Sequence, residues 1–206
     1  MGKGKSSQRW LERQAKDPYV RKAGVEGARS RATYKLAEID GRDRLIRPGM
    51  TIVDLGAAPG GWSEYASSRL QGNGRVIALD RLEMDTLPGV EFVHGDFEDE
   101  TVLGTLKERL GGARVDLVLS DMAPNITGIR QVDQARSMAQ CEDVLAFAEE
   151  VLAGKGSFLV KVFQGEGSDA FRDMLRERFE SVYVRKPKAS RPRSREVYFL
   201  ARNYCL

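Results

Sequence analysis

The stretch MTIVDLGAAPGGWSEYASSRL, residues 50–70, decides the fold. Residues 50–55 are a short apolar run, 56–60 are glycine- and proline-rich, and 61–70 bring apolar residues back at helical spacing. A strand, a tight turn and a helix in that order open a unit that a second parallel strand must complete. That strand reads at 75–79, and the alternation continues. Further strands at 90–93, 115–119 and 157–162 are interleaved with helices at 102–110, 132–152 and 169–179. The strands are apolar throughout, not at every second position, so helices cover both faces of a mostly parallel sheet. Upstream, Ala32, Leu36 and Ile39 recur at helical spacing, and Pro48-Gly49 turns the chain into the first strand. Two last strands, 181–184 and 196–201, have no helix between them and are expected to pair antiparallel at one sheet edge. The fold class is α/β, doubly wound, without internal repeats.

A chain of 206 residues suffices for one such domain. No apolar run approaches the roughly 18 residues of a membrane span, and no secretory signal is visible, so a soluble, cytoplasmic protein is expected. Cys141 and Cys205 are far apart without metal-ligand spacing, which predicts free thiols and no metal.

Charge is distributed unevenly. Residues 1–35 hold ten Lys/Arg against three Asp/Glu, residues 185–195 hold six Lys/Arg and no acid, and with a total of +3 the remainder carries −10. An acidic body with two basic segments points to a polyanion held along one face. Residues 1–30 read as a basic flexible arm with at most a short helix near Trp10 and Leu11, and residues 31–206 as the domain. The expected phosphate contacts are Arg29 and Arg31 at the start, with Lys186, Lys188, Arg191, Arg193 and Arg195 near the end.

The turn at 56–61 lets a ligand approach backbone and helix N-terminal amides, because Gly56, Gly60 and Gly61 carry no side chain. It lacks the second glycine of G-x-G-x-x-G, which counts against a nicotinamide dinucleotide. Asp54, Asp80 and Asp96 stand at or near successive strand ends, and such acids converge on the crevice beyond the carboxyl edge of an open sheet. Asp80 suits ribose hydroxyls and Asp96 an adenine amino group. His94, the single histidine, reads as a packed or exposed strand residue without a catalytic role.

DLGAAPGGW, SDMAPN (120–125), VKVFQGEG (160–167) and RKP...SRPRSREVY together resemble the FtsJ-type ribosomal RNA 2′-O-methyltransferases, over residues 8–200 in order. The resemblance implies a Rossmann-like class I methyltransferase fold of seven strands with the last inserted antiparallel, and S-adenosylmethionine as methyl donor, leaving S-adenosylhomocysteine. It carries cofactor contacts onto Gly60, Trp62, Asp80, Asp96 and Asp121, beside Asp54 and Gly56 of the glycine turn. It also carries a Lys-Asp-Lys-Glu tetrad onto Lys35, Asp121, Lys161 and Glu196. The implied substrate is a uridine ribose in large-subunit (23S) ribosomal RNA on the assembled 50S subunit. A monomer is expected.

A ribose 2′-hydroxyl is a poor nucleophile at neutral pH, so such an enzyme must align it with the activated methyl and remove one proton. Lys161, set in the apolar run GSFLVKVF, is the expected general base, since a charge inside such a strand is costly unless it is paired or functional. Asp121 is expected to orient it, with Lys35 and Glu196 positioning the ribose and phosphate. Transfer RNA or messenger RNA cap methylation, and a non-catalytic ribosome-assembly factor, are the competing readings.

Overall fold

The computed structural model describes residues 17–191 and 193–206. Its elements are α1 (Pro18–Glu26), α2 (Ala32–Asp43), β1 (Thr51–Leu55), α3 (Gly61–Leu70), β2 (Arg75–Asp80), β3 (Val90–His94), α4 (Glu100–Leu110), β4 (Val115–Ser120), α5 (Arg130–Val151), β5 (Leu152–Phe163), α6 (Ser168–Arg178), β6 (Phe179–Arg185) and β7 (Glu196–Tyr204). One seven-stranded sheet runs in the order β3-β2-β1-β4-β5-β7-β6. The first five strands are parallel, and β7 is antiparallel to both of its neighbours. The expected antiparallel pairing of the last two strands holds, with β7 inserted and β6 at the edge.

Side chains that alternate along each strand separate two cores, one on each face. On one, α4, α5 and α6 cover Val53, Leu55, Val118, Phe158 and Val160. On the other, α2 and α3 cover Ile52, Leu117, Leu119, Leu159, Tyr198 and Leu200. Among the described residues no helix is long and apolar enough to cross a membrane.

The expected arm needs one correction. Residues 18–26 form a helix, although the chain there has little apolar periodicity and Ala23 is the one residue of that helix that is buried. Its ends are set locally. Asp17 caps the first turn by accepting from Tyr19 N at 3.0 Å, Pro18 supplies a fixed φ, and Gly27 closes the helix at φ 72°. Those three residues were the available signal. The short helix expected near Trp10 and Leu11 lies outside the described residues.

Buried acids fasten the α2–α3 face. Asp40 accepts from Ile46 N (2.8 Å), Tyr65 Oη (2.9 Å) and Arg69 Nε (3.1 Å), joining both helices to the turn before β1. Asp54 on β1 is fully buried and accepts from Ser63 Oγ at 2.6 Å, while its Oδ1 has no hydrogen-bond partner among the described residues. Burial pushes its carboxyl up to about 7, against the Ser63 hydrogen bond.

The folded form therefore keeps a proton that the unfolded chain, titrating near pH 4, releases. The contribution of Asp54 to stability is full at low pH and is lost as pH rises from about 4 to about 7, by on the order of 4 kcal/mol. Asp54→Asn removes this dependence. Urea unfolding of both proteins across that range checks it: the difference between them should change with pH, and a constant difference would contradict the assignment.

Candidate functional site

Two recesses meet at the carboxyl edge of the parallel strands. The larger, with a cavity volume of about 600 Å³, has Gly56, Ala58, Asp80, Asp96, Asp121 and Met122 on its walls, so it lies beyond the ends of β1 to β4. Asn125 forms part of its lip, where Arg81 Nη2 donates to Asn125 Oδ1 at 2.9 Å, and Arg136, Gln140 and Asp143 reach it from α5.

Asp80 Oδ2 accepts from Ala58 N at 2.9 Å and Oδ1 from Leu82 N at 2.8 Å, which fixes the carboxylate while leaving lone pairs for hydroxyl donors. Asp96 is exposed and accepts from Glu98 N at 3.1 Å. Asp54, Gly60 and Trp62 lie behind the wall. Asp54 bonds Ser63, and Trp62 donates from Nε1 to Ala32 O at 2.7 Å and packs its ring 5.6 Å from that of Tyr198. His94 ends β3, exposed, with Nε2 3.0 Å from Arg81 O.

The glycines of the turn make room for protein. A Cβ on Gly56 would come within 2.6 Å of Met122 Cγ and 3.1 Å of Met122 N, and φ there is +76°. On Gly60, at φ +104°, it would meet Met84 Sδ at 2.8 Å and Arg29 Cδ at 3.2 Å. The turn is thus wedged between the loop after β4 and the segment before α2, and larger residues would displace both.

The tetrad forms where this crevice meets the second recess. Asp121 follows β4 directly, Lys161 lies near the end of β5, Glu196 begins β7, and Lys35 descends from α2. Lys161 Nζ lies 3.2 Å from Asp121 Oδ1 and also donates to the Asp121 backbone carbonyl. Lys35 Nζ lies 2.7 Å from Glu196 Oε1 and 3.9 Å from Asp121 Oδ1. Both lysine side chains are about nine-tenths buried, at 10% and 9% exposure. Leu36 and Ile39, buried beside Lys35 on α2, each contribute about 1.5–3 kcal/mol by leaving water. That burial offsets the cost of drawing an ammonium inward.

Tyr198, which sequence reasoning missed, joins the four. It pairs in register with Lys161 across β5 and β7, accepts from Lys35 Nζ at 3.0 Å and donates to Asp121 Oδ1 at 2.7 Å. Glu196 Oε1, at 3.3 Å, is its longer alternative and also accepts from Ser190 Oγ at 2.9 Å. The available signal was the spacing Glu196-x-Tyr198, which puts both side chains on one face of a strand. Burial and the facing Asp121 and Glu196 carboxylates hold the phenol well above its ordinary range. Burial also disfavours the charged Asp121, but the Lys161 and Lys35 ammoniums and the Tyr198 hydroxyl outweigh it and hold that carboxyl low. Behind the tetrad, Cys141 Sγ donates to Lys161 O at 3.4 Å, and burial pushes the thiol up to about 12.

The second recess, with a cavity volume of about 250 Å³, is lined by Arg31, Lys35, Arg191, Ser194 and Glu196. The other residues expected to meet phosphate are dispersed. Arg29 donates to the carbonyls of Pro59, Asp85 and Thr86 at 3.3–3.4 Å, holding the loop after β2 against the glycine turn. Lys186 donates to Ser194 O and, at 3.0 Å, to Glu196 O. Arg195 donates to Gln164 O at 3.3 Å, and Lys188 and Arg193 are exposed.

Residues 28–204 match the model of the FtsJ-like methyltransferase family. A protein of Azoarcus sp. (strain BH72) named ribosomal RNA large subunit methyltransferase E is 58% identical over 200 residues, covering 97% of this chain and 98% of its own. A Pseudomonas aeruginosa (strain PAO1) protein of the same name is 53% identical over 204 residues, with 99% of both chains covered. Among solved structures, a Plasmodium falciparum protein assigned as a ribosomal RNA methyltransferase superposes with a TM-score of 0.78 at 29% identity, over 85% of this chain and 98% of that one. A mycinamycin-pathway methyltransferase solved with S-adenosylhomocysteine shares the fold, with a TM-score of 0.55 at 14% identity over 84% of this chain and 47% of that one. With its glycine turn, strand-end acids and tetrad in place on this sheet, the chain belongs to the FtsJ-like methyltransferase family.

Proposed function

We propose that the protein methylates the 2′-hydroxyl of a uridine in large-subunit (23S) ribosomal RNA, on the assembled 50S subunit, with S-adenosylmethionine as donor. The observation that carries the reading is the position of Asp121, which lines the large crevice and also holds Lys161. The full-length similarity to proteins named ribosomal RNA large subunit methyltransferase E supports the substrate class.

The crevice fits the donor. Asp80 and Asp96 offer acceptors for ribose hydroxyls and an adenine amino group, Gly56 and Ala58 bring backbone to the wall, and the volume suits a nucleoside-sized ligand. S-adenosylmethionine bound there supplies a methyl group already activated by its sulfonium charge.

A neutral lysine amine has two N–H bonds and one lone pair. Once Lys161 has given up its third proton, its two remaining hydrogens can go to the backbone O and Oδ1 of Asp121, leaving the lone pair for the hydroxyl proton. The ribose oxygen loses that proton to Lys161 Nζ as it takes the methyl group. Asp121 stays ionised and balances the ammonium that forms. Lys35, held by Glu196 and Tyr198, stands at the junction with the smaller recess and positions the acceptor nucleotide. The basic arm and the segment 185–195 contact RNA backbone.

Labelled S-adenosylmethionine supplied with large subunits, free ribosomal RNA and transfer RNA, followed by mapping of ribose methylation, tests the substrate. Product on large-subunit uridine is expected, and product on transfer RNA alone would overturn the assignment. Lys161→Ala should lower single-turnover methylation by at least about 100-fold with donor affinity within a few-fold of wild type, and near-normal turnover would remove Lys161 as the base. Tyr198→Phe keeps the ring on Trp62 but strips Lys35 and Asp121 of a partner. A drop in kcat of about tenfold is expected, and an unchanged kcat would reduce Tyr198 to packing.

A further inference from the structure

We infer that Asp17 is a positioning residue that holds Arg31 and Arg191 as two walls of a seat for one RNA phosphodiester beside the tetrad. The inference rests on the ribose-methylation reading for what the seat serves, and on geometry for its construction. Arg31, Lys35 and Arg191 give the recess three cations against the single carboxylate of Glu196. Asp17 is outside its lining. Its carboxylate, 7% exposed, accepts from Arg31 Nη1 and stands 3.6 Å from Arg191 Nε. The counter-charge therefore sits behind the guanidiniums, and the face toward the recess stays cationic.

The same arrangement fixes where the guanidiniums point. Arg31 Nη2 donates to Ala189 O, so the arm side and the basic segment meet through one side chain. Arg31 Nε is buried with no hydrogen-bond partner among the described residues, a donor the fold leaves unused. Arg191, 41% exposed, has the Asp17 pair as its one side-chain ion contact among the described residues. A phosphodiester is an anion with two acceptor oxygens, the complement to paired guanidiniums. Lys35 and Glu196 belong to both the recess and the tetrad, which places the bound phosphate next to the reacting ribose.

The sign of one substitution separates positioning from bulk charge. Removing an acid near a polyanion site strengthens binding if only net charge matters. If Asp17 holds the seat together, removing its charge weakens binding. Asp17→Asn and Asp17→Ser both retain a cap for the first turn of α1, so that helix is kept.

The test is filter binding of large-subunit ribosomal RNA over a salt series, with S-adenosylhomocysteine affinity measured on the same preparations as a folding control. Asp17→Asn and Asp17→Ser should weaken RNA binding by about tenfold, the loss of one charge-assisted hydrogen bond, with S-adenosylhomocysteine affinity within about twofold. In a methylation assay they should raise KM for RNA more than they lower kcat. RNA affinity that is unchanged or tighter overturns the inference. Arg191→Gln, at a partly exposed position, should reduce the slope of log affinity against log salt by about 0.7 to 0.9, one phosphate contact; an unchanged slope also overturns it. Because binding is read without turnover, failure here is distinguishable from failure to map a ribose methyl group.

Discussion

Because β7 runs against β5 and β6, its first residue and not its last lies at the edge where the parallel strands end. Glu196 opens β7 opposite Phe163, which closes β5, and two residues on Tyr198 stands opposite Lys161. A parallel strand in that place would deliver its carboxyl end to the crevice after a helical crossover. The reversed strand arrives from a loop, and that loop is the basic segment. One reversal thus puts an acid, a phenol and a set of cations at the same edge as the cofactor crevice.

Burying two lysines there demands compensation, since a desolvated ammonium is stable only when paired and hydrogen-bonded. Asp121 and Glu196 provide the charge, and Tyr198 relays between them, accepting from Lys35 and donating to Asp121. Asp121 pays for its own burial through the same contacts, which is why its carboxyl is held low while that of Asp54, buried on β1 with Ser63 as its hydrogen-bond donor, is pushed up to about 7. Two aspartates near the ends of adjacent strands shift in opposite directions because one faces lysines and the other is buried against a serine.

The alternation of apolar runs and helical spacings was enough to place the strands and to read a mostly parallel sheet, because strands covered on both faces leave a plain apolar signature. The four tetrad positions were legible through resemblance, not through periodicity. What escaped was set by short-range chemistry or by contacts distant in sequence. Helix α1 buries almost nothing, so it is written in its caps, Asp17, Pro18 and Gly27. Tyr198 reads as one more apolar residue in a strand until the register sets it across from Lys161. Gly60, read as a ligand-facing glycine, answers to Met84 and Arg29, residues that no local pattern links to it.

Those contacts make the segment before α2 a shared wall. Arg29 reaches the glycine turn through Pro59 O, while Arg31, two residues on, reaches the basic loop through Ala189 O. Lys188 N donates to Glu38 Oε2 at 2.8 Å, adding a second tie between α2 and that loop. A displacement of residues 29–31 would therefore be felt on the donor side and the acceptor side together. For a transfer between two large molecules this coupling matters, because effective alignment is lost when the two sites shift independently, even by about 1 Å. Lys35, one helical turn along from Arg31, is carried by the same segment to the point where the two recesses meet.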